Sequence, residues 1–264
     1  MSPEAYSLPI RSRIGDTMAN PLESAYLKLS RAVEHLEQTE AETQRFIDSN
    51  PHFPVPEYNF QTGQHAVVVR VLADPPMHLG LLAGDTLHNI RAALDHLIYQ
   101  LTDLDPDTPR GEKTQYPIFD TPDAFDAMPA CYLKGVPERY RAMLRMAQPY
   151  NPRYVTLEPL ARLSNRDKHR VIDPIASSAV GMTLHADPPD AIYDIRGPDG
   201  VLYFDDRAGL ATFRSDREVD VQIRDFTYYV RFGTRDRAGI DADGMRILIS
   251  RVAEILPNFR AAFD

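Results

Sequence analysis

The stretch Asp85-Thr86-Leu87-His88-Asn89-Ile90-Arg91-Ala92-Ala93-Leu94-Asp95-His96 carries two His, two Asp, one Asn and one Arg. These are the groups that move protons, bind metals or hold phosphates. Leu87, Ile90, Leu94, Leu97 and Leu101 recur at helical spacing and fall on one side of the helix. Asp85, His88, Asp95, His96 and Tyr99 fall on the other, with Arg91 at its edge. A merely solvated face is usually built from Lys, Glu and Gln, so a site is sought here first. The bland alternative is a polar network in which Asp95 holds Arg91 and ties helices together.

A second cluster follows in Arg162-Leu163-Ser164-Asn165-Arg166-Asp167-Lys168-His169-Arg170. Arg162, Arg166 and His169 share a helical face opposite Leu157, Leu160, Leu163 and Val171. Arg forks suit phosphate oxygens, which makes Arg162, Arg166, His169 and Arg170 candidate anion-binding residues. Cations at the end of a helix also suit its dipole without any ligand. The composite expectation is that His88, Arg91, Asp95 and His96 face a shared cleft or network with Arg166 and His169.

Three chemistries fit. Arg91 and His96 could act on a phosphodiester, one holding the phosphate and the other moving a proton. Five positions apart on a helix they diverge, and they converge if the helix bends or two copies meet about a two-fold axis. Alternatively Asp85 and His88, one turn apart, could hold a divalent metal ion. That site would need completion by Glu34, His35 or Glu37 of an earlier helix, or by His169. In the third case there is no chemistry, and a ligand or partner protein recognises the polar groove. The chain has no Gly-x-Ser-x-Gly elbow, no Gly-x-x-x-x-Gly-Lys loop and no Gly-x-Gly-x-x-Gly turn. Cys131 reads as a small buried residue, and Tyr228 as sheet packing rather than a base-stacking platform with Tyr229.

His88-Asn89-Ile90-Arg91-Ala92-Ala93-Leu94-Asp95-His96, with Tyr116-Pro117-Ile118-Phe119 and Asp167-Lys168-His169-Arg170, is similar to a group of bacterial proteins without an assigned function. That similarity covers roughly residues 75–175. Arg91-x-x-x-x-His96 also resembles the Arg-x(4–6)-His signature of the HEPN superfamily, with Ala92 where a polar residue usually follows the Arg. The resemblance implies a helical bundle, often dimeric, many of whose members are metal-independent ribonucleases of toxin or defence systems. Arg91 would then hold the phosphate and His96 would act in general acid–base catalysis, with no cofactor.

The elements that must position these residues alternate in period. Residues 1–20 read as a mobile arm. Asn20-Pro21 opens a helix running to about Asp48, and prolines across 51–63 signal a loop. His65 to Leu72 reads as a strand, and the site helix runs from about His78 to Leu101. Short helices are expected near Asp123–Met128 and from Val136 to Met146. A further one starts at a Thr156 cap and is stopped by Pro174. From Ala176 to Phe232 the period becomes two, with a hairpin around Pro198-Asp199-Gly200 and a turn at Arg224-Asp225. An amphipathic helix from about Ala242 to Ala262 closes the chain. The expectation is an α+β protein. It has a helical bundle over 21–175 with one strand near 65–72, which the sequence leaves free to join the later sheet. A β-meander and C-terminal helix over 176–264 pack on the bundle.

Composition sets the outer limits. The chain has 264 residues, a hydrophobic fraction of 43% and one cysteine, so no internal disulfide forms. No apolar run approaches the ~18 residues a membrane helix needs, and no secretory leader is evident. These features favour a cytoplasmic protein. A net charge of −9 argues against broad nucleic-acid binding but leaves room for a basic cleft. A homodimer through the helical region, binding RNA or another anionic ligand, is the expected assembly.

Overall fold

A computed structural model describes residues 20–59, 61–109, 111, 113–167, 170–197, 203–205, 207–217, 219–234 and 237–263. The chain is α+β, with antiparallel strands and a C-terminal helix. It divides into two compact units. A helical unit takes residues up to Thr39, Leu81–Ile172 and Ala242 onward, and a strand unit takes Glu40–Gly80 and Asp173–Asp241.

Helix α1 (Glu23–Asp48) starts where the Asn20 side chain accepts the N–H of Leu22 at 3.0 Å. It ends at Asn50, whose φ of 53° is a left-handed conformation that Asn tolerates. Its stripe of Ala25, Leu29, Ala32 and Leu36 is buried. Helix α2 (Met77–Thr102) contributes Leu87, Ile90, Leu94, Leu97 and Leu101, each fully buried. Each such side chain contributes about 1.5–3 kcal/mol of burial before its entropy cost. The unit is completed by α3 (Pro122–Asp126), α4 (Glu138–Met146), α5 (Glu158–Asp167) and α6 (Ala242–Ile255). In α6, Met245, Leu248, Ile249, Val252 and Ile255 are buried, and a 3-10 turn carries Leu256 and Phe259 into the same core. The start of α5 differs from the sequence expectation. A 3-10 turn over Pro152–Leu157 precedes it, and Asn151 rather than Thr156 caps that turn.

The strand unit contains β1 (His52–Asn59), β2 (Gln64–Val71), β3 (Asp173–Asp187), β4 (Ile192–Arg196), β5 (Gly209–Ser215), β6 (Asp220–Thr234) and β7 (Arg237–Ile240). One sheet has the order β1-β2-β5-β4 and the other β3-β6-β7. Val67, Val69, Ala211 and Phe213 of the first meet Ala176 and Tyr228 of the second, with Phe204 in the same core.

Three expectations are corrected here. Residues 51–63 are not all loop. His52–Asn59 is a strand despite Pro54 and Pro56, because β1 is an edge strand whose prolines need no second partner. Its hairpin with β2 turns on Asn59, whose side chain accepts from the N–H groups of Gln61 and Thr62, and on Gly63 at φ 66°. The strand at 65–72, whose place in the later sheet the sequence left open, pairs with β5 of that region. The region from 176 onward is not a simple meander. β3 skips β4 and β5 to pair with β6, and β4 pairs with β5. No chain reversal occurs at Arg224-Asp225. The step from Gly181 to Thr183 on β3 faces the step from Thr227 to Arg224 on β6, so β6 carries one extra residue. This is a bulge, with Asp225 at φ 55°.

Candidate functional site

The polar side of α2 divides into an engaged part and an open part. Arg91 donates through Nε to Asp95 Oδ2 at 3.3 Å and through Nη2 to the carbonyl of Tyr116. Asp95 Oδ1 accepts the Tyr116 N–H at 2.8 Å. One turn of α2 therefore grips both polar groups of a single residue in the following loop. The Tyr116 ring is fully buried, and its hydroxyl donates to Ala147 O at 3.0 Å at the end of α4. Burial pushes that phenol far above its ordinary range, so it remains a neutral donor.

Gln148 completes the clamp from the α4 side. Its amide donates to Pro117 O and to Leu144 O, both at 2.9 Å, and its carbonyl accepts the Phe119 N–H at 3.0 Å. Segment 116–119 is thus strung between α2 and α4 through its backbone. Asn89 is likewise occupied, donating to Asp85 O one turn back along α2.

The open part holds Asp85, His88 and His96. Asp85 and His88 are exposed and His96 is half-buried. Burial lowers the pKa of His96, and Lys28 of α1 lowers it further. Asp95 opposes them. Below its ordinary value of 6.5 the ring is neutral at neutral pH and is able to accept a proton. Lys28 was not singled out by sequence reasoning, since a lone Lys on an amphipathic helix carries no signal.

The Asp85–His88 metal site expected from the sequence needs completion by Glu34, His35 or Glu37, or by His169, which lies outside the described residues with Lys168. Among the described residues no group of three or more His, Cys, Asp and Glu is placed to hold a metal ion. Of the second cluster, Arg162 lies 3.5 Å from Glu158 on its own helix. Arg166 is half-buried, and Arg170 is exposed beyond the end of α5, its N–H bonded to Arg166 O at 2.9 Å. Cys131 is half-buried. Tyr228 is buried and Tyr229 is 44% exposed, on opposite faces of β6.

No helix among the described residues is long and apolar enough to cross a membrane. No protein-family model, curated protein or solved structure matches the chain.

Proposed function

We propose that this chain is a HEPN-like, metal-independent ribonuclease that works as a homodimer, with His96 as its general acid–base group. The observation that carries the reading is the state of His96. Its half-buried ring lies on the polar side of α2, and burial first, with the charge of Lys28 second, lowers its pKa. In such a site His96 takes the proton of a ribose 2′-hydroxyl as that oxygen attacks the adjacent phosphorus. The bond to the 5′-oxygen breaks, a cyclic phosphate forms, the leaving 5′-oxygen takes a proton from water, and His96 returns its own proton to the solvent. Lys28 and the remaining nitrogen of Arg91, Nη1, meet the phosphate oxygens. Arg162, Arg166 and Arg170 contribute attraction for the rest of the strand. A place in a defence or toxin system rests on the resemblance alone.

The test is cleavage of single-stranded RNA in EDTA. His96→Ala abolishes it and leaves the fold intact. Light scattering gives a mass about twice the 29.9 kDa of one chain. Metal-dependent activity through Asp85 and His88 would instead appear as bound iron, manganese or zinc, lost in His88→Ala.

A second reading has its own observation. Arg91 and Asp95 have a complete structural role in gripping Tyr116, which a catalytic role does not need. On that reading the chain is a non-catalytic binding or regulatory protein. Folded protein would then leave RNA intact and contain no metal.

A further inference from the structure

His52 is the first residue of β1, just past the Asn50 turn that ends α1. It is 1% exposed. Its ring lies among three aromatic rings drawn from different parts of the strand unit. Phe46 of the last turn of α1 stands edge-on at 5.7 Å, Phe204 lies tilted at 5.7 Å, and Tyr228 of β6 stands edge-on at 5.0 Å. Phe204 also stacks on Phe226, so the cluster runs on into the core. Nδ1 of His52 lies 3.2 Å from the Tyr228 hydroxyl. Nε2 is buried with no hydrogen-bond partner.

A neutral imidazole tolerates this setting, because one of its nitrogens needs no proton. An imidazolium carries two N–H donors and a charge. Here the second donor would have neither water nor an acceptor, and such a group is costly to bury. The surrounding ionisable groups offer little relief. The Tyr228 hydroxyl is itself held neutral by burial, with its pKa raised to about 12. Asp74, beyond β2, attracts the charged form, but burial outweighs it. On the last turns of α1, Asp48 accepts from Gln44, and Glu42 lies between Arg45 and His78. On β2, Arg70 pairs with Glu57.

We propose that His52 is an acid-sensitive latch that closes the seam between the end of α1 and the two sheets when neutral and opens it when protonated. The sign follows from linkage. The ring's pKa in the closed state lies below 6.5, so the open state takes the proton first. The latch is fully closed above that pH and loosens as pH falls through it. Opening exposes Phe204, which is buried at neutral pH, and uncovers more of the half-buried Phe46 and Ile47.

Two measurements on the full chain decide the matter. In the first, the histidine rings are followed by NMR across pH 8 to 4, and His52 is expected to stay neutral below its ordinary midpoint. In the second, amide hydrogen exchange, corrected for its intrinsic pH dependence, is compared at pH 7.5 and 5.5. Exchange over 42–56 and 224–232 is expected to rise in acid, by up to about tenfold, the most that one proton supplies over this interval. His52→Phe removes that rise, while His65→Phe keeps it. An ordinary His52 midpoint, or an unchanged exchange profile, overturns the proposal, as does the same rise in His52→Phe. Should His52→Phe not fold, the two wild-type measurements still decide.

Discussion

Asp95 and Tyr116, 21 residues apart, are joined by a 2.8 Å hydrogen bond from the Tyr116 N–H to the Asp95 carboxylate, and Arg91 closes the opposite edge of the same residue. The α2 motif is therefore a backbone clamp as well as a candidate site. Removing the carboxylate strands an N–H and releases an arginine. We expect Asp95→Ala to lower stability by about 1.5–3 kcal/mol, the range for hydrogen bonds to charged groups. Urea unfolding measures it, and a midpoint within error of wild type would show that the clamp carries no load.

Gln148 is fully buried and serves both sides of its amide. Gln148→Leu fills a similar volume but leaves Pro117 O and the Phe119 N–H without their partner. The expected loss is about 2–3 kcal/mol. Proteolysis after Phe119, absent in wild type at the same protease concentration, is the second readout.

The core stripe was legible because five apolar residues of α2 recur at a period that only one helix face satisfies. Leu94, fully buried, and Leu81, 53% exposed, occupy the same helix and test that reading. Leu94→Ala is expected to cost about 2–5 kcal/mol, and Leu81→Ala no more than about 0.5 kcal/mol. Equal losses in thermal unfolding would mean that the exposed end of the helix is covered in solution.

The pH dependence of cleavage tests the site itself. Burial first and Lys28 second hold His96 below 6.5. The basic form therefore persists into mild acid, and the rising limb of rate against pH lies below 6.5. Lys28→Ala removes one of the two causes and moves that limb toward 6.5. The stability sign agrees: the unfolded chain takes up this proton first, so acidification costs folded-state stability and Lys28→Ala reduces the cost. A limb that does not move in Lys28→Ala would separate His96 from the reaction.

What the sequence hid is explained by particular residues. Pro54 and Pro56 announce a loop, yet an edge strand tolerates both, and edge position is a tertiary property. Asp225 marks a turn by residue type, but a bulge uses the same left-handed conformation without reversing the chain. Period two identified β4 and, as two strands split by a turn, the residues of β6, but periodicity carries no record of which strand pairs with which. In the site, the Arg91–Asp95 contact follows from helical spacing alone. The Tyr116 clamp does not, because its other half comes from a loop of irregular backbone. Gln148, beyond the end of α4, gave no signal for the same reason.

The pairing of β2 with β5 sets an order of events during synthesis. Val67 on β2 faces Ala211 on β5, so one edge of β2 waits until the chain has been made as far as β5. Until then the β1–β2 hairpin presents an open ladder of N–H and C=O groups beside the apolar Val67 and Val69. Such an edge is a template for wrong partners. At ribosomal rates of ~5–20 residues per second, the wait lasts several seconds or longer. Anything that covers that edge during the interval therefore favours the native pairing over a wrong one.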